Sequence, residues 1–131
     1  MGIKILLVED DANFRAVFAT ALELQGYSVR QAASGQRALE MMRSERPDII
    51  ISDLEMSGLD GRSLCHRVRG DSELATIPFV ILSAFVESDG RNSPADLPAD
   101  RCLSKQIPIS QVIQFIKELL DPSREGGVAA S

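Results

Sequence analysis

Residues Pro47–Gly61 read PDIIISDLEMSGLDG, and the first half of this stretch decides the fold. Ile49, Ile50 and Ile51 are three β-branched residues in a row. Such a run offers no polar face to water, so Asp48 to Ser52 reads as a strand covered on both sides. A strand buried on both faces belongs to a parallel sheet clad with helices. It ends at Asp53, which puts a carboxylate at its tip. Ser57-Gly58 and Asp60-Gly61 are turn signals, so Leu54 to Gly61 is a loop, and Arg62 to Arg69 follows as a short helix.

Working outward, Ile3 to Val8 is apolar apart from Lys4 and reads as a second buried strand. Asp11 to Gln25 carries Phe14, Val17, Phe18, Ala21 and Leu22 at helical spacing and stops at Gly26. Tyr27 to Ala32 is a more polar strand, suited to a sheet edge. Ser34 caps a helix with Ala38, Leu39 and Met42 on its inner side. Phe79 to Leu82 is another strand, ending at Ser83, and Arg101 to Ser104 is a short fifth one before Lys105. Ile109 to Leu120 is an amphipathic helix closed by Pro122. Glu87 to Asp100 holds Gly90, Pro94 and Pro98. A proline costs about 3 kcal/mol in a helix interior, so a helix there is short or irregular. Residues 1–122 form one domain, and 123–131 are expected to be a disordered tail.

In open sheets of this kind, chemistry gathers beyond the carboxyl ends of the strands. There the sequence places Glu9, Asp10 and Asp11 after the first strand, Asp53 after the third, Ser83 after the fourth and Lys105 after the fifth. Carboxylates about 4 Å apart repel by roughly 4 kcal/mol at an effective dielectric of 20. A metal-free site should therefore raise some of their pKa values and titrate as a coupled group. A hard dication relieves the repulsion, and an all-oxygen shell suits Mg²⁺. Lys105 and Ser83 could meet the oxygens of a phosphoryl group, with Asp53 as the nucleophile. Asp10 or Asp11 could alternatively cap the following helix.

ILLVEDD near the start, PDIIISDLEMSGLDG, PFVILSA and LSK together resemble the receiver domains of two-component response regulators over residues 3 to 120. The resemblance implies a flavodoxin-like doubly wound sheet, strand order 2-1-3-4-5, with helices on both faces. It implies a phosphoacceptor at Asp53, with Ser83 and Lys105 on the phosphoryl group. It implies Mg²⁺ held by Asp10, Asp11, Asp53 and the backbone carbonyl of Glu55, with Asp11 as the direct ligand. The activity implied is a signalling switch whose only catalysis is its own phosphorylation and dephosphorylation. The phosphoryl group comes from a sensor histidine kinase or a histidine phosphotransfer protein, and the output is a changed protein-binding surface. This chain departs from the pattern at Cys102, where the family usually has an aromatic residue, and at Gln106 and Ser57, where it usually has proline. A cis bond before Gln106 would cost about 2.5–4 kcal/mol. A partner-binding pseudo-receiver and an aspartate-based phosphohydrolase are the alternatives. A flavin site is disfavoured, because Glu9, Asp10 and Asp11 repel its phosphate.

A net charge of −5 disfavours phosphate backbones and anionic membranes. The expected partners are accordingly the phosphodonor and a downstream protein or an effector domain outside this chain, with no nucleic acid and no membrane. A monomer or weak dimer in the cytoplasm is expected, with Cys65 and Cys102 reduced. MGIKILLVEDD is neither a signal peptide nor a span. His66 reads as an exposed helix residue, and Arg62, Arg67 and Arg69 as a solvated helix face.

Overall fold

The computed structural model describes residues 2–84 and 98–120. Its strands are β1 (Lys4–Val8), β2 (Ser28–Ala32), β3 (Ile49–Asp53), β4 (Phe79–Ser83) and β5 (Arg101–Ser104). Its helices are α1 (Ala12–Leu24), α2 (Gly35–Ser44), α3 (Gly61–Arg69) and α4 (Ile109–Leu120). All neighbouring strands pair in parallel, in the order β2-β1-β3-β4-β5. The irregular stretch expected from Glu87 lies outside the described residues as far as residue 97, as does the expected tail at 123–131.

The isoleucine run does what its chemistry requires. β3 is buried along its whole length, between β1 and β4. Alternation sends Ile49 and Ile51 to one face and Ile50 to the other. The first face packs on α1 and α4 through Phe18, Leu22, Val112 and Ile116. The second packs on α2 and α3 through Ala38, Met42, Leu64 and Val68. The polar strand β2 lies at the sheet edge, as its composition indicated.

Local chemistry sets the helix ends. The side chains of Asp11, Ser34 and Asp60 each accept main-chain N–H bonds at the starts of α1, α2 and α3. Gly26, with φ of 95°, turns the chain after α1 as only glycine does readily. One member of the α1 stripe faces the other way. Val17 is 60% exposed, whereas Ala19 is buried. Val17 precedes Phe18 by one residue and so sits about 100° around the helix from it, toward solvent.

Arg69 also departs from expectation. Its guanidinium donates to the carbonyls of Pro98 (2.7 Å), Ala75 (3.0 Å) and Ile77 (2.7 Å) and to Asp100 Oδ2 (2.9 Å). Asp100 Oδ2 in turn accepts from Phe79 N at 2.8 Å. Arg69 therefore ties the end of α3 to the entries of β4 and β5 rather than facing water. Arg69→Ala strips three carbonyls of a charged donor and is expected to lose about 2 kcal/mol in urea unfolding. A loss below about 0.5 kcal/mol would return Arg69 to the solvated class.

Candidate functional site

The carboxyl ends of β1, β3, β4 and β5 meet at one edge of the sheet. The ladder runs one residue past β1, because Glu9 N donates to Ala32 O at 3.0 Å. Asp53 closes β3 opposite Leu82, Ser83 closes β4 opposite Ser104, and Lys105 N donates to Ser83 O at 2.9 Å. Four strand tips thus bring Glu9, Asp53, Ser83 and Lys105 together.

Lys105 is the electrostatic centre. Its Nζ lies 2.7 Å from Glu9 Oε1 and 3.3 Å from Asp53 Oδ1. The Phe14 ring covers the ammonium, with its centroid 4.6 Å away. Glu9 and Asp53 are buried, so both ion pairs are held largely away from water. The other Glu9 oxygen accepts from Asp11 N at 3.0 Å, and Arg15 Nη1 donates to Glu9 O at 2.7 Å.

Burial pushes the carboxyls of both Glu9 and Asp53 above their ordinary values, while Lys105 pulls against it. Each is also raised by a neighbouring acid: Asp53 acts on Glu9, and Glu55 acts on Asp53. The direction is that expected from crowded acids, but burial outranks mutual repulsion as its cause. Burial alone would lower Lys105. Glu9 and Asp53 outweigh it and hold the ammonium above its usual value.

The structure sorts the three acids after β1 differently from the sequence reading. Carboxylate oxygens of Glu9, Asp10 and Asp53 lie within 4.8 Å of one another. Asp11, expected to be the direct metal ligand, lies outside this group. Its Oδ1 accepts from Asn13 N and Phe14 N at 3.0 and 3.1 Å and caps α1. The alternative role weighed for it is the one observed, and Glu9 enters the group instead. Glu9 was legible in principle, because strand alternation continues from Ile5 and Leu7 onto it. Asp10 Oδ2 faces Ser57 N at 3.4 Å.

Ser83 is buried, and its hydroxyl meets the Glu55 carboxylate. Glu55 also lines an open cleft of about 520 Å³ together with Asp10, Ser57, Asp60 and Arg62. Cys102 and Cys65 are buried free thiols, with burial pushing Cys65 up to about 11. No cis peptide bond occurs among the described residues. His66 is exposed on α3.

The donor set fits a hard dication. It is all oxygen, and its three carboxylates, two of them buried, lie within 4.8 Å of one another.

The family model for the response regulator receiver domain matches residues 5–117. This chain belongs to that family. As a receiver domain it is 32% identical to response regulator MprA of Mycobacterium tuberculosis, over all of this chain and 56% of that protein. It is 32% identical to the "Probable transcriptional regulator ycf27" of Porphyridium aerugineum, over 89% of this chain and 48% of that protein. Among solved structures it resembles the signal receiver domain of a signal transduction histidine kinase from Syntrophus aciditrophicus. The identity is 30% and the TM-score 0.80, covering 91% of this chain and 90% of that one. It also resembles the receiver domain of sensor histidine kinase PA1611 from Pseudomonas aeruginosa, which has a magnesium ion coordinated in its active site cleft. Here the identity is 25% and the TM-score 0.79, covering 90% and 97%. The flavodoxin-like architecture is thus the receiver fold, and the domain is a signalling domain.

These comparisons correct the expected partners. This receiver spans about half the length of the curated relatives it matches, one of which is named a transcriptional regulator. The chain corresponds to their receiver part alone. A net charge of −5 describes that part, so it does not exclude nucleic acid for a longer regulator, whose other domain carries its own charge. Among the described residues, no helix is long and apolar enough to cross a membrane.

Proposed function

We propose that this receiver domain is a phosphoacceptor switch in which Asp53 takes a phosphoryl group from a phosphohistidine donor. The observation that supports this most is the ion pair of Lys105 with Asp53, held at the tips of four strands beside the buried Ser83 hydroxyl. An Asp53 carboxylate oxygen attacks phosphorus as the phosphorus–nitrogen bond breaks. The electron pair leaves with the imidazole, and an acyl phosphate forms on Asp53. Lys105 neutralises one phosphoryl oxygen and the Ser83 hydroxyl donates to another. Glu9, Asp10 and Asp53, with the Glu55 main-chain carbonyl, would hold Mg²⁺. When bound, that ion supplies the positive charge that lets an anionic donor approach three acids. Small, exposed Ala84 leaves the approach open. The setting proposed is the cytoplasm, consistent with two free buried thiols.

Incubation with phosphoramidate and Mg²⁺, followed by intact mass measurement, tests the reading. One phosphoryl group should appear on the chain and none on Asp53→Asn. Equal labelling of that variant would move the acceptor elsewhere. Steady phosphate release from many unrelated phosphate esters would favour a hydrolase instead.

A further inference from the structure

Ser83 Oγ lies 3.1 Å from both Oε1 and Oε2 of Glu55. The two residues are 28 positions apart, so the fold and not local sequence makes this contact. A hydroxyl has one proton to donate, and here it is shared between the two oxygens of one carboxylate. To a hydroxyl donor a carboxylate and a phosphoryl group look alike, since each offers at least two anionic oxygens. Ser83 is fully buried at the tip of β4, whereas Glu55 is an exposed residue of the loop after β3, able to turn outward. We propose that Glu55 is an internal stand-in for the phosphoryl group. It occupies the Ser83 hydroxyl in the resting chain and must swing away before Asp53 can be phosphorylated.

Two features of the site fit this role. The cleft of about 520 Å³ that Glu55 lines gives its side chain room to turn aside, and the Arg62 side chain on the same wall offers opposite charge. Glu55 restrains phosphorylation through Ser83, while its main-chain carbonyl is untouched by any side-chain change.

The inference rests on the phosphoacceptor reading, and a double-mutant cycle separates the two. Initial rates of acyl-phosphate formation from phosphoramidate and Mg²⁺ are compared for the parent chain, Glu55→Ala, Ser83→Ala and the double variant. Releasing a charge-assisted hydrogen bond should speed Glu55→Ala about tenfold over the parent. In the Ser83→Ala background, the same change should alter the rate less than about twofold. Equal acceleration in both backgrounds would show that Glu55 acts by charge alone and overturn the stand-in. So would an unchanged rate in Glu55→Ala. If no variant acquires phosphate on Asp53, the phosphoacceptor reading fails first and takes this one with it.

Discussion

Gly61→Ala is expected to cost about 3 kcal/mol of stability, near the top of the range for a single added methyl group. A Cβ at Gly61 would run into Asp53 O and would stand 2.9 Å from Leu54 Cα and 3.0 Å from Asp53 C. All three are backbone atoms, so no flexible side chain can swing aside. The approach is close because Gly61 N donates to Leu54 O at 3.0 Å, and this bond seats the first turn of α3 on the end of β3. Any relief must pull α3 away from β3 or move Asp53 itself. The variant should therefore lose phosphoryl uptake along with stability. Gly70→Ala at the other end of α3 is the control. Its Cβ would meet His66 O at 3.3 Å and Arg67 O at 3.8 Å. The backbone there, with φ of −83°, suits alanine. A change within about 0.5 kcal/mol is therefore expected. Urea midpoints for the two variants decide the matter. Similar losses in both would mean that the contact with β3 does not set the cost, since helix propensity alone favours alanine over glycine.

The strand tips were legible because burial writes itself into composition. Ile49 to Ile51 could only be central, and the polar residues of β2 could only be at an edge. Given those strands, Asp53, Ser83 and Lys105 fall at neighbouring strand tips. What composition does not carry is phase at a strand end. Apolar residues stop at Val8, but the hydrogen-bond ladder continues through Glu9, and that single step decides which acids face the site. The sequence pattern alone put Asp11 beside Asp10 and Asp53, where the folded chain places Glu9. Long-range polar partners were equally out of reach. The carbonyls that Arg69 serves and the hydroxyl that Glu55 holds belong to segments whose proximity only the folded chain defines. Cys102 shows the reverse. The departure from an aromatic residue was plain in the sequence, and the structure gives it a place, in the core beside Ile81 on the α3 face.

Lys105→Met should lose about 3 kcal/mol near neutral pH, the penalty for leaving a buried partner unpaired. Methionine keeps most of the apolar stem against Phe14, so the loss isolates the charge. Glu9 and Asp53 already have raised pKa values with Lys105 present, and removing it takes away what holds them down. The sign follows from proton uptake. A buried acid with a raised folded pKa binds its proton in the folded state before the unfolded chain does. Its ionisation therefore destabilises the fold as pH rises through the raised value. In the metal-free variant the loss should be fully present above that window and shrink as pH falls through it. The parent chain differs, because its raised lysine contributes at all pH values below the ordinary lysine range and fades only as pH climbs through the higher folded value. Adding Glu9→Gln to Lys105→Met should recover part of the loss, since it removes one of the two stranded charges. Urea midpoints between about pH 5 and 8, with chelator present, read all of this. A deficit that stays constant across that range, or a Glu9→Gln change that makes matters worse, would mean that Lys105 supports the site by packing instead of by charge.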